Sequence, residues 1–443
     1  MSASELTSSS PSGRRQMTGR IVGIDLARFL ALAGMMATHL WTILADDPSA
    51  RTWLSEVLAG KAAALFALLA GVGIAITTRG YLAAGRAASA RWAVFGRGFA
   101  LVLIGMTLGL VPGGIIVILV YYGVTFWCVI PMLRWSNTVL LVVAAAWAGL
   151  WPFLSSLIRN GLEQQSGLGS ANWAKLDDPA GFVRGLLVTG AYPVATWVVY
   201  TMVGIVVGRL VLAANRQQAR HALGFRLVVV GSALAAAALG LSLLLLGPLG
   251  GIDNIASTLP SLPEYPNPQE SARMFVYGAM VGTVPGGSIW WLASPAPHSG
   301  TFFDLAITSG IAVATIGLCL LVGAMLRPLA RRILSPVSSA GSAPLTVYVL
   351  HVVIVGAVTG RYYETGIPEG VVPWDYSSLE LWLLHIAGAL VIGTLLVLLG
   401  RRGPLETLVS WVGKQAARLG RRPAGADASA ELPPTERGEH VGA

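Results

Sequence analysis

The 443-residue chain has little charge: Asp, Glu, Lys and Arg make up 12% of it against 54% hydrophobic residues, and its mean hydropathy is +0.68. A soluble domain carries roughly a quarter of its residues charged, so water is excluded as the main solvent. Cysteine is almost missing. Cys128 and Cys319 both fall in apolar runs, which excludes an extracellular disulfide framework and a cysteine-spaced metal site. The chain also lacks a Walker A string, H-E-x-x-H, G-x-S-x-G and a dinucleotide fingerprint following a strand. No repeat period of about 20 to 50 residues marks a solenoid, and no clear halves mark an inverted-repeat transporter.

What the chain does have is apolar runs of roughly 18 to 25 residues, each long enough to cross a hydrocarbon core of about 30 Å. They predict spanning helices near 21–44, 58–77, 92–111, 114–133, 137–157, 189–212, 224–246, 303–325, 343–360 and 380–400. The connecting segments alternate in charge. Arg14, Arg15 and Arg20, then Arg79, Arg86 and Arg91, Arg134, Arg216 and Arg220, Arg327, Arg331 and Arg332, and Arg401 and Arg402 mark one side. Acidic or mixed loops mark the other, with Asp46, Asp47 and Glu56; Asp177 and Asp178; Asp253, Glu264 and Glu270; and Glu364, Glu369 and Asp375. Since Lys and Arg collect on the cytoplasmic side, the expected fold class is all-α, a polytopic transmembrane bundle of about ten spans with both termini in the cytoplasm.

The net charge of +9 is spread over inner loops instead of one basic face, which argues for a lipid bilayer and against a nucleic-acid partner. The polar start of the chain carries no cleavage site before the first apolar run, so that run reads as an uncleaved start-transfer helix. Residues 1–19 and 420–443 are expected to be disordered cytoplasmic tails. Residues 20–400 form the membrane domain, with an outer loop or lid at 247–302 that contains SLPEYPNPQE and the Gly/Pro-broken ARMFVYGAMVGTVPGGSIWW. The aromatic residues there, Tyr265, Phe275, Tyr277, Trp290 and Trp291, fit a lid or an interface belt. Outer loops at 157–188, with Gln164, Gln165, Asn172 and Trp173, and at 361–379 complete that face. Residues 401–419 read as an amphipathic interfacial helix with Leu405, Leu408, Trp411 and Val412 on one face. Pairing with a second copy as a homodimer is open.

Ionisable residues inside spans are costly unless they face a cavity or a partner. The first span, RIVGIDLARFLALAGMMATHLWTIL, has the densest set: Asp25, Arg28 and His39. At about 100° and 1.5 Å per residue, His39 lies within about 20° of Arg28 around the helix and about 16 Å further along it. Asp25, three residues before Arg28, is placed to pair with it. The plain alternative is that all three snorkel to the interfaces. Lys61, Asp46 and Asp47 are expected beside His39 and would tune it. Arg97, Tyr348, His351 and His298 complete the set of candidate binding residues. His351 and His385 also fit a purely structural role as neutral histidines bonded between helices. Around His298, Ser299, Thr301 and Asp304 fit a helix cap. His221 and His440 are solvent-side.

RIVGIDLARFLALAGMMATH and GKAAALFALLAGVGIAI resemble the first two helices of the bacterial YeiB-like proteins and of the heparan-alpha-glucosaminide N-acetyltransferase-like family. The order continues in IIVILVYYGVTFWCVIPMLRWS, TGAYPVATWVVYTMVGIVVGRL, PHSGTFFDLAITSGIAV, APLTVYVLHVVIV and the terminal GPLE, so the resemblance covers roughly residues 20–410. Arg28 and His39, with ten residues between them, are also similar to the signature of the broader transmembrane acyltransferase superfamily. The resemblance implies transfer of an acyl group, often acetyl, from cytoplasmic acyl-CoA to a hydroxyl or amine of an extracytoplasmic glycan or glycolipid, with His39 matching the family's essential histidine. On this reading acyl-CoA is a co-substrate and no cofactor is permanently bound. Arg20, Arg79, Arg91 or Arg97 would meet its phosphates, and the pantetheine arm would run from Arg28 toward His39. There His39 would act as general base or carry the acyl group, and Lys61, Tyr348 or His351 would stabilise the oxyanion. The rival reading is a transporter or flippase whose buried charges form a pathway. The Ala, Gly and Arg bias fits a GC-rich bacterium and its cell membrane.

Overall fold

The computed structural model describes residues 20–42, 52–159, 169–259, 267–367 and 371–421. Both tails, and with them Arg14, Arg15 and His440, lie outside the described residues, as do Asp46, Asp47, Gln164, Gln165, Glu264, Tyr265 and Glu369. Every regular element among the described residues is helical. The long helices are α1 (Val22–Leu40), α2 (Lys61–Ala83), α3 (Ala87–Leu108), α4 (Leu119–Cys128), α5 (Asn137–Arg159), α6 (Val194–Arg216), α7 (Arg220–Leu246) and α8 (Phe302–Met325). They are followed by α9 (Ser335–Ser342), α10 (Pro344–Thr359), α11 (Leu379–Leu399) and α12 (Pro404–Leu419).

Among the described residues seven helices are long and apolar enough to cross a membrane, or eight if α9 and α10, bent by 83°, count as one span. The chain is a multi-pass membrane protein. Two of the expected spans differ from that set. The 19-residue α1 is not among the seven and carries Asp25, Arg28 and His39. The expected span 114–133 is a helix of only 10 residues, Leu119–Cys128, which rises about 15 Å. Its shortening has a local cause, because Gly113 and Gly114 both take positive φ, 127° and 70°, directly after Pro112. The extended stretch that results needs partners for its backbone. Ser170 supplies them, accepting from Val117 N at 2.8 Å and donating to Ile115 O at 3.0 Å.

Helices approach closely where glycine removes the side chain, as expected in a membrane. A Cβ on Gly71 of α2 would lie 2.9 Å from the Cα of Gly204 on α6. On α7 and α8, Gly224 faces Gly317 and Gly231 faces Gly310, two contacts seven residues apart along antiparallel helices. The outer segment folds into short helices, Gly251–Ala256 and Pro268–Tyr277, around a small core in which Trp291 is 2% exposed. Trp291 is therefore a packing residue, whereas Phe275 and Tyr277 remain exposed.

The glycine contacts generate a contrast. Gly204→Val drives its branched side chain into the α2 backbone and should cost about 1–3 kcal/mol or more, whereas Gly240, with open space around it, should accept Ala with no loss. Thermal unfolding of the two purified variants checks this.

Candidate active site

The site is organised by the break between α9 and α10. Pro344 opens α10, and the preceding residue, Ala343, offers no side-chain cap. The cap comes from 60 residues away: the Glu406 carboxylate of α12 accepts from Leu345 N at 2.6 Å, Thr346 N at 3.1 Å and Thr346 Oγ1 at 2.7 Å. A carboxylate at a helix N-terminus also meets the positive end of the macrodipole. Gly403 must be glycine for this approach, since a Cβ there would sit 2.7 Å from Ala343 Cβ and 2.9 Å from Thr346 Oγ1. These contacts give the terminal GPLE string its physical meaning. Its glutamate was not among the candidate residues because nothing in its own neighbourhood marks it as a cap for another helix.

With its start fixed, α10 presents His351 to α1 and α11. His39 Nδ1 and His351 Nε2 are 3.0 Å apart, and the two rings lie edge to edge and nearly coplanar, with 5.3 Å between centroids and 8° between planes. His385 of α11 stands edge-on to His351 at 5.1 Å and 83°. His351 is 2% exposed, whereas His39 and His385 are half-buried. His39 is therefore held by a neighbouring helix and does not snorkel freely. Among the described residues no group of three His, Cys, Asp or Glu side chains is placed to hold a metal ion.

Toward the other end of α1, Asp25 is 5% exposed and bridges two guanidinium groups, Arg20 Nε at 3.1 Å and Arg28 Nη1 at 3.2 Å. Arg20 also donates to Ser338 O at 2.8 Å, tying the start of α1 to α9. Two cations on one carboxylate leave one net positive charge. Arg28 reaches toward Gly73 of α2, whose added Cβ would lie 3.9 Å from Arg28 Nη2. Between Arg28 and His39 on the same stripe, Leu32 and Met35 are buried in the largest core cluster. The two ends of the stripe are thus separated by packed side chains.

The remaining candidates group differently from the expectation. Lys61 does not join His39. Its ammonium donates to Glu56 O at 2.9 Å and interacts electrostatically with Asp304 and His298. The cause is Gly60, whose φ of +72° turns the start of α2 against Pro297 and His298. His298 itself has φ 60°, a left-handed backbone uncommon for a non-glycine residue, and packs against Tyr192 and Trp197. Burial, followed by the Lys61 ammonium, lowers its pKa to about 4, so this imidazole is neutral at ordinary pH. Thr301 caps α8 by accepting from Asp304 N at 3.0 Å, and the Asp304 carboxylate accepts from Gly300 N at 3.1 Å, which is the capping arrangement weighed from the sequence. Tyr348, 1% exposed, sits one turn before His351 and packs against Phe66 of α2. Arg97 lies away from both groups. Its stem packs on Gly413 of α12, and its Nη2 donates to Ser410 Oγ at 3.4 Å. The buried face of α12 is Val409, Gly413 and Ala417, with Leu408 and Trp411 exposed.

Residues 20–239 match the family described as heparan-alpha-glucosaminide N-acetyltransferase, catalytic. Residues 265–414 match a second family, described as protein of unknown function (DUF418). No curated protein matches the chain. His39 lies in the first matched region and His351, His385 and Glu406 in the second, so the His39–His351 contact joins elements of different matches, whereas the Glu406 cap lies within the second.

Because Glu406 caps α10 from outside, Glu406→Ala should leave three donors unsatisfied, cost about 1–3 kcal/mol and loosen the His351-bearing helix. Hydrogen exchange at Leu345 and Thr346 should rise in this variant, and unchanged protection there would show that α10 holds its position without the cap.

Proposed function

Because the chain belongs to the YeiB-like, heparan-alpha-glucosaminide N-acetyltransferase-like family, we propose that it is an acyl-CoA-dependent acyltransferase of the bacterial cell membrane. It would move an acyl group, acetyl first among them, from cytoplasmic acyl-CoA to a hydroxyl or amine of an extracytoplasmic glycan or glycolipid. The observation that carries this reading is the setting of His39: one ring nitrogen is engaged by His351, and the residue keeps part of its surface accessible.

In the reaction, the acceptor oxygen or nitrogen bonds to the acyl carbon while its proton passes to His39. The C–S bond then breaks, and the CoA thiolate leaves and recovers the proton from the imidazolium. In the second route open to the same residue, His39 takes the acyl group first and passes it on. The excess positive charge around Asp25 suits the donor phosphates or pyrophosphate. An acyl arm extending from there would part Leu32 and Met35, and methionine is the side chain best able to adjust.

The transport reading draws its support from the broken α9–α10 helix, since half-helix N-termini often bind anionic substrates in transporters. Here that terminus is already occupied by Glu406, which favours acyl transfer.

The test is label transfer from radiolabelled acetyl-CoA to a cell-envelope extract by the purified full chain. Transfer is expected, and His39→Ala should lower it on the order of 10²-fold or more. Undiminished transfer by the variant would remove His39 from the mechanism, and no consumption of any acyl-CoA would favour transport.

A further inference from the structure

The three histidines form a chain of contacts whose hydrogen-bond directions are set by where each ring carries its proton. His385 Nδ1 lies 2.9 Å from Leu381 O, one helical turn back. A carbonyl oxygen accepts and does not donate, so the proton of neutral His385 is on Nδ1 and its Nε2 is a lone pair. That Nε2 is buried without a hydrogen-bond partner among the described residues, and so is Nδ1 of His351. The rings stand edge-on at 83°. Either tautomer leaves His351 Nδ1 without a conventional hydrogen bond, and the electron-rich group in contact with its ring for a proton there is His385. With the His351 proton on Nδ1, its Nε2 is the acceptor toward α1, and the 3.0 Å contact is a hydrogen bond donated by His39 Nδ1.

We propose that His351, held by His385, is the positioning residue of His39: it fixes the Nδ1–H tautomer and leaves Nε2 as the reacting atom. The device is a histidine in the place usually taken by a carboxylate. No carboxylate or cation among the described residues is paired with any of the three rings. The imidazolium formed on His39 during proton transfer is therefore stabilised by a neutral acceptor instead of a buried charge, and it gives its proton up more readily than one beside an aspartate. The same tautomer serves either route, since general-base and acyl-carrying chemistry both need a lone pair at Nε2. The consequence for rate rests on the acyl-transfer reading, whereas the proton positions do not.

Nitrogen-15 NMR of the full chain, labelled at histidine and reconstituted in liposomes, tests the proposal, with His39 assigned by its loss in His39→Gln. The expected result is a protonated Nδ1 and an unprotonated Nε2 at His39. His351→Leu, which removes the acceptor, should abolish this preference, and His351→Gln, whose amide oxygen can accept, should preserve it. In label transfer, His351→Leu should lower kcat on the order of 10²- to 10⁴-fold with KM for acyl-CoA unchanged, and His351→Gln should recover part of the loss. A wild-type His39 protonated on Nε2 overturns the proposal without needing any variant to fold, as does a tautomer unmoved by His351→Leu. If no acyl transfer is found at all, the functional reading fails while the tautomer result stands on its own.

Discussion

Three hydrogen bonds to Glu406 hold the start of α10 in a setting where hydrocarbon offers no substitute for them. A helix broken by 83° between Ser342 and Pro344 exposes backbone donors that in a membrane must be met from within the protein. One carboxylate at the far end of the chain meets them. The direction of α10 follows from that cap, and with it the position of Tyr348 and His351 against α1 and α2. Around this core, glycine contacts bring α2 against α6 and α7 against α8, and His39 meets a side chain 312 residues away.

The polar groups of α1 divide into two kinds. Asp25, Arg20 and Arg28 neutralise most of one another's charge and anchor α1 to α9, which makes their burial tolerable. His39 and His351 are kept without charge partners among the described residues, which suits groups that must gain and lose a proton. The packed Leu32 and Met35 lie between these two environments. On the proposed function they are also where the donor must pass, so access along α1 depends on side-chain rearrangement.

Most helices were legible from the sequence because a run such as 137–157 or 303–325 has one physical solution in lipid, and Asn137–Arg159 and Phe302–Met325 follow those ranges closely. Gly71 in LAGVGIAI and Gly204 in YTMVGIVVGRL face each other, as small residues do where membrane helices pack closely. The short α4 was not legible, since its hydropathy continues through a backbone that Pro112, Gly113 and Gly114 have already unwound. Pairing of Asp25 with Arg28 follows from helix periodicity alone. Lys61 was assigned to His39 by proximity in the chain, but the turn at Gly60 points it toward Asp304 and His298. His385 and Glu406 escaped for a shared reason: each matters through a residue on another helix, and helical spacing within one segment carries no information about such partners.

The proposed function stands or falls with acyl transfer at His39. The most direct measurement is a cryo-EM structure of the full chain with a non-transferable thioether analogue of acetyl-CoA. The acyl carbonyl carbon is expected within about 3–3.5 Å of His39 Nε2, with the pantetheine arm between displaced Leu32 and Met35 and the phosphates toward Arg20 and Arg28. An analogue bound with its acyl end away from His39, or held at a site that does not include α1, would contradict the proposed function.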